Sequence, residues 1–301
     1  MKKFDTLIQM MAAFPDEQSA IDHFTAIRWK GGAFCPYCGS TERVYHFSDK
    51  RTHKCGDCRK RFSIKVGSIF EDSKIELRVW LMAIWLITSH KKGIASTQLA
   101  KDLGVTQKTA WFMTQRLRYA IRTRSFNAPL DGNIEADEMY VGGKEKNKHA
   151  SKRTGGKQGG SGKIAVLGLL QRDGELRTAI TPNLKAATVQ EVIVENVKPG
   201  SKIMTDTALS FDRVGSKYIH ERVNHSAGEY VRRGGFHTNG IEGVWSLFKR
   251  QVIDTHHVLS PKHFFRYLGE MTWRFNNRAI GEAIASTPYL SWRTGDSPIR
   301  S

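Results

Sequence analysis

The chain has 301 residues, with 47 Lys or Arg against 29 Asp or Glu, a formal charge of 47 − 29 = +18. Apolar residues at 40% and aromatics at 10% exclude a disordered chain, and the length suffices for two or three domains with cores of their own. A cationic excess of this size goes beyond what solubility requires and points to a polyanionic partner, nucleic acid first.

Residues 1–30 read as an N-terminal helical segment. Acids and amides interrupt the apolar stretch of "MKKFDTLIQMMAAFPDEQ", so it does not read as a signal peptide. The longest apolar run, Val79–Ile87, is about half of the roughly 18 residues a membrane span needs. A cytoplasmic protein with reduced thiols is the expectation.

The cysteines are Cys35, Cys38, Cys55 and Cys58, two C-x-x-C pairs with 16 residues between them. This spacing predicts a zinc ribbon over 31–70 that holds one structural Zn²⁺ through four thiolates, with no open coordination position. Gly39 and Gly56 are expected to supply the knuckle turns. Two disulfides would conflict with a reducing compartment, and four free thiols would leave the paired spacing unexplained.

From Ile75 the apolar period changes to that of a helix, ending near Ser89. Ser96 or Thr97 is expected to cap a short helix through Leu103, Gly104 to turn the chain, and Thr106 to cap a second helix to about Arg122. Leu99, Leu103 and Val105 read as core. The layout predicts a helix-turn-helix DNA-binding domain over 71–126, with Gln107, Lys108 and Thr109 as its DNA contacts. A helical hairpin that reads nothing is the alternative.

Beyond 127 strands and helices alternate. Strands are predicted at "IEADEMYV", Lys163–Gln171, Glu175–Thr181 and Ser201–Asp206, with helices at Thr188–Val197 and from about Thr238. This order predicts an α/β catalytic domain of the ribonuclease-H-like class over 127–301. A basic, glycine-rich loop, 142–163, joins its first two strands and is a further candidate for phosphate contact. Asp137 lies within the first strand, Asp206 at the end of the fourth and Glu242 in the first turn of the following helix. Three such acids can converge on divalent cations at a phosphodiester. Glu135 and Glu138 flank Asp137 and are its alternatives; as strand neighbours they are expected to point away from its site. Ser246 and Lys249 share the helical face of Glu242. Lys249 and Arg250 are candidate contacts to the DNA backbone, although cations also suit a helix C-terminus. His237 and Asn239 are candidate auxiliary residues. Trp245 reads as core.

The stretches "CPYCGS", "KCGDCRKRFS", "GSIFEDSKIELRVWLMAIW", "IEADEMYVGGK", "IMTDTALSF" and "HTNGIEGVWSLFKR" together resemble the DDE transposases of insertion sequences that carry an N-terminal zinc ribbon, the ISXO2-like family. The resemblance runs from about Phe14 to Asn277. It implies that Asp137, Asp206 and Glu242 are the triad and that Mg²⁺ or Mn²⁺ is the catalytic cofactor, in two copies. It further implies terminal inverted repeats and target DNA as partners, a homodimer or higher oligomer in the synaptic complex, and a bacterial, nucleoid-associated location. Some relatives carry a different third residue, which gives Asn239 its candidacy as a ligand. A ribonuclease-H-like nuclease or resolvase, and a DNA-binding regulator with an inactive catalytic fold, are the competing readings.

Overall fold

A computed structural model describes residues 4–121, 128–143, 149, 151, 163–223 and 237–278. These divide into two compact units, one up to Ile121 and one ending at Arg278. Most of the predicted basic loop, 142–163, and the last residues of the predicted catalytic domain, 279–301, lie outside the described residues.

The first unit opens with α1 (Leu7–Ala13) and α2 (Glu17–Arg28), each started by a capping box at Thr6 and Asp16. An antiparallel sheet follows in the order β1 (Val44–His46), β2 (Thr52–Cys55), β3 (Arg61–Ser63). Three helices complete the unit: α3 (Leu77–Ser89), α4 (Ser96–Leu103) and α5 (Gln107–Ala120). Phe70 joins the layers, its ring 4.9 Å from Phe24 of α2 and 5.1 Å from Trp80 of α3.

Helix α3 has no side-chain cap of its own. Glu17 of α2 supplies one instead, its two oxygens accepting the Leu77 and Arg78 amides at 2.9 Å each. The segment between β3 and α3 is held by cations on backbone carbonyls. Arg28 donates to Ile64 O, Arg116 to Ile69 O and Glu71 O, and Lys65 to Ser73 O and Ile75 O. Burial pushes the Arg28 guanidinium down to about 10, with Glu71 opposing.

Local expectations here need two adjustments. Ser96 is the first residue of α4 rather than its cap, and Ala95 stands at the cap without a side-chain hydrogen bond. Leu99 is buried as expected, but Leu103 and Val105 are only half-buried. Gly104 turns the chain at φ +64°, and Thr106 caps α5 by accepting the Thr109 amide.

The second unit is a five-stranded mixed sheet. Its strands are β4 (Asn133–Val141), β5 (Ile164–Gln171), β6 (Leu176–Thr181), β7 (Lys202–Thr205) and β8 (Ile219–Arg222), in the spatial order β6-β5-β4-β7-β8. The first three form an antiparallel meander, and β7 and β8 add in parallel beside β4. Helix α6 (Ala186–Asn196) crosses between β6 and β7; α7 (Asn239–Arg250) and α8 (Phe264–Asn276) follow β8. The predicted fourth strand closes at Thr205, leaving Asp206 just beyond it.

Period-two alternation sorts the sheet's side chains. Ile134, Ala136, Leu167 and Leu169 pack with Val189 and Ile193 of α6. Met139, Val166 and Leu170 pack with α7 and α8, where Ile241, Val244, Trp245 and Phe248 form one helical stripe. On that second face Gly168 has no side chain, and Trp245 fills the space. A Cβ at Gly168 would overlap the Trp245 ring and stand 2.9 Å from Ile241 Cδ1. Among the described residues no helix is long and apolar enough to cross a membrane.

Gly168→Ala should therefore lift α7 from the sheet. We expect a loss of roughly 1–3 kcal/mol in stability, the range for an overpacked core, measured by urea unfolding of the full chain.

Candidate functional site

Two clusters of chemistry-bearing residues stand out, one in each unit. In the first, the sulfurs of Cys35, Cys38, Cys55 and Cys58 all lie within 4.8 Å of one another. Cys35 and Cys58, and Cys38 and Cys55, are 3.6 Å apart. A tetrahedral zinc with Zn–S of about 2.3 Å sets its sulfurs roughly 3.8 Å apart, so the four thiols fit that ion. The two turns are built alike: Cys35 N donates to Ser40 O at 2.8 Å, and Cys55 N to Lys60 O at 3.0 Å. The left-handed residue of the first turn is Gly39 at φ +78°. Its counterpart in the second is Arg59 at φ +60°, not Gly56. Gly56 serves another purpose, because a Cβ there would come 3.0 Å from both Arg43 and Tyr45. Behind the knuckles, Trp29 packs on His53 at 4.8 Å, and His53 stacks on Phe62 at 5.4 Å.

The second cluster lies at one end of the mixed sheet. Asn133 pairs with Lys202 in the parallel ladder, an offset of 202 − 133 = 69. The same offset carries Asp137 to Asp206, since 206 − 137 = 69. The ladder itself runs to Glu135 and Met204, and its register directs both aspartates, just beyond it, to the same end of the sheet. The Asp137 carboxylate accepts the Glu138 amide at 2.8 Å, and that of Asp206 accepts the Ala208 amide at 2.9 Å. Glu242, in the first turn of α7, accepts the Thr238 hydroxyl at 3.0 Å. Burial pushes the Asp137 carboxyl up to about 7; the Glu138 amide opposes the shift, and the charges of Asp206, Glu138 and Glu242 add to it. Among the described residues only the four thiols close to within 4.8 Å of one another.

Glu135 and Glu138 take different roles. Glu138 points to the opposite face of β4, where it accepts the Ser210 hydroxyl at 2.8 Å. Burial raises its carboxyl too, the Ser210 hydroxyl opposing and Asp206 adding. Glu135 departs from the expectation that both flanking acids turn away. It is two residues from Asp137 and so shares its face. It is fully buried there, 2.9 Å from Arg172 Nε and 3.0 Å from the Ile241 amide. Sequence reasoning missed this role, as it missed Arg172, Thr238 and Gly168. The two-residue step from Glu135 to Asp137 was the one available signal.

The remaining candidates are spread over helix surfaces. Gln107 and Lys108 are exposed. Gln107 donates to Ser96 Oγ at 3.0 Å, and Thr109 is drawn into the cap, its hydroxyl 2.9 Å from that of Thr106. On α7, Glu242, Ser246, Lys249 and Arg250 are all exposed, and Trp245 is buried. Asn239 is exposed, and His237 sits with Nδ1 3.3 Å from Glu135 Oε1.

Residues 129–276 match the ISXO2-like transposase domain, and residues 15–61 match the transposase zinc-ribbon domain. A transposase-like protein of Haemophilus influenzae is 37% identical over 109 residues, 36% of this chain and 86% of that relative. The chain belongs to the ISXO2-like transposase family. A protein in transposable element ISH50 of Halobacterium salinarum is 28% identical over 274 residues, covering 85% of this chain and 89% of its own. Among solved structures, the simian T-cell lymphotropic virus intasome with PP2A regulatory subunit B56 gamma gives a TM-score of 0.29 at 10% identity, over 69% of this chain and 76% of that one. The Mos1 strand transfer complex gives 0.21 at 12%, over 60% and 70%. The zinc-ribbon match and the clustered thiols agree on zinc as the metal of the first unit.

Two outcomes follow for this transposase. Metal analysis should give one zinc per chain, and strong chelation should unfold the ribbon, because structural zinc contributes its binding energy to folding. In the absence of divalent cations, pH should also act through Asp137. Its folded value of about 7 lies above the unfolded value of about 3.9. Between these values the folded state keeps a proton that the unfolded chain has lost. The contribution of Asp137 to stability is then greatest below about pH 4 and is lost as pH rises towards 7. Asp137→Asn should flatten that fall in a series of thermal melts.

Proposed function

We propose that the chain is a DDE transposase that binds the terminal inverted repeats of an insertion sequence and cuts and joins DNA with Asp137, Asp206 and Glu242. The observation that carries this reading is that the β4–β7 register directs Asp137 and Asp206 to one end of the sheet, while Glu242 stands in the first turn of the helix packed on the same face as Asp137. The strand order, with an antiparallel meander and two parallel strands added beside its first strand, supports a ribonuclease-H-like catalytic fold.

Oxygen donors alone suit Mg²⁺ or Mn²⁺, and a half-buried carboxyl crowded by acids suits a cation better than water does. Two such ions, when bound, supply activation of the attacking oxygen and stabilisation of the leaving one. The chain's own groups hold the acids in place: the Glu138 amide on Asp137, the Ala208 amide on Asp206 and the Thr238 hydroxyl on Glu242. Lys249 and Arg250, on the exposed side of α7, fit the DNA backbone. His237 and Asn239, beside the first turn of α7, are auxiliary to the carboxylates.

In the first unit, α4 and α5 with the Gly104 turn make a helix-turn-helix, whose second helix reads the repeat from the major groove. Lys108 is its foremost contact, flanked by Gln107 and Thr109. The domains divide at 30, 70 and 126. The zinc is structural, the synaptic complex is a homodimer or larger, and the protein acts at the nucleoid in the cytoplasm.

Cleavage of a labelled terminal-repeat duplex with Mg²⁺ or Mn²⁺ tests the catalytic half. Asp137→Asn, Asp206→Asn and Glu242→Gln should each lower the rate on the order of 100-fold or more while DNA affinity holds. Near wild-type cutting by all three would remove the carboxylate reading. Lys108→Ala should weaken repeat binding and lower the salt slope by about one; an unchanged slope would take Lys108 out of the interface.

A further inference from the structure

We propose that Glu135 is a positioning residue of the carboxylate site: its buried side chain ties the strand carrying Asp137 to the first turn of the helix carrying Glu242, and so sets the spacing of those two acids. This deepens the catalytic reading above and rests on it.

Helix α7 begins without a hydrogen bond from the side chain of its cap residue, Thr238, whose hydroxyl donates to Glu242. The orphan amide of Ile241 is satisfied from the sheet, by Glu135 Oε2 at 3.0 Å. That amide belongs to the residue before Glu242, and Glu135 lies two residues before Asp137 on the same face of β4. One carboxylate therefore touches both elements, each within two residues of a catalytic acid. The contact has little slack. Gly240 permits it, since a Cβ there would fall 2.7 Å from Glu135 Oε2 and 3.0 Å from Leu170 Cδ2.

The other oxygen is fixed as well. Arg172, at the end of β5, places Nε 2.9 Å from Glu135 Oε1 and donates through Nη2 to His237 O at 3.0 Å. Its guanidinium thus holds the carboxylate and the chain entering α7 together. A buried charge hydrogen-bonded on both oxygens stays in one place, because losing either partner strands the other away from water. The negative charge also faces the positive end of the α7 dipole. Both Glu135 oxygens are engaged, by Arg172 and by the Ile241 amide, and the side chain is buried. It acts through Asp137 and Glu242, as outer partners commonly do at metal sites.

The test uses the full chain and two substitutions. Glu135→Gln keeps the shape and an acceptor but removes the charge. Gly240→Ala adds a methyl against Glu135 Oε2 and, by helix propensity alone, should favour α7. For both we expect terminal-repeat affinity within about twofold of wild type. The Mn²⁺ concentration for half-maximal cleavage should rise about tenfold or more, the usual loss when an outer partner is removed. Without DNA, the rise in melting temperature on adding Mn²⁺ should need a correspondingly higher Mn²⁺ concentration. If Glu135→Gln does not fold, Gly240→Ala decides alone. Unshifted Mn²⁺ titrations in both assays would overturn the proposal, whether the cleavage rate is unchanged or lowered, since a merely structural residue alters the rate without moving the titration. That result with Asp137→Asn, Asp206→Asn and Glu242→Gln inactive defeats the role of Glu135 only. If those three also cut like wild type, it is the catalytic reading that has failed.

Discussion

The second unit depends on how closely α7 can approach the sheet. Trp245 lies over Gly168, which pairs directly with Asp137 in the β4–β5 ladder. With any side chain at Gly168 the helix would ride higher, and Glu242 would move away from the two aspartates. The apolar stripe of α7 supplies the adhesion, and the bare patch on β5 sets the distance. The large ring and the missing side chain form one fitted pair, which explains a glycine inside an otherwise apolar strand.

Much of this was legible in the sequence where the cause is local. Two C-x-x-C pairs can close on one ion whatever surrounds them, and the thiols do cluster. The 3.6-residue period of α3 and the alternation of β4 and β5 could be read because one face of each is buried. Local geometry was harder to read where a closed turn dictates it. The second knuckle imposes a left-handed conformation on Arg59, against the preference of its side chain, while the nearby glycine is required for space. The least legible features were long-range. Glu135 finds Arg172 37 residues away and Ile241 106 residues away, and no spacing rule links them. The offset of 69 that directs Asp206 and Asp137 to one end of the sheet is visible as an interval in the sequence, but it acquires meaning only once β7 is known to lie next to β4.

The two units share one device. Helices α3 and α7 both lack a capping side chain of their own, and each takes a glutamate from an element far away in sequence. Glu17 accepts two amides of α3 across 60 and 61 residues. A cap borrowed in this way makes helix formation conditional on tertiary docking, whereas the capping boxes of α1 and α2 act locally. Cations are used similarly on the other side of the balance. Arg28, Lys65 and Arg116 are spent on backbone carbonyls inside the first unit and are withdrawn from the surface charge that would meet a polyanion.

The acids of β4 have a further consequence for the chain as it leaves the ribosome. The meander of β4, β5 and β6 is complete at Thr181, but the strand that covers the free edge of β4 begins only at Lys202. At synthesis rates of roughly 5–20 residues per second, that edge stands open for about one to four seconds. An open edge is a template for pairing with another chain, and charge is the usual defence. Asp137 and Glu138 sit on that strand throughout the interval, one on each face, and their charges oppose its pairing with a neighbouring chain on the polysome.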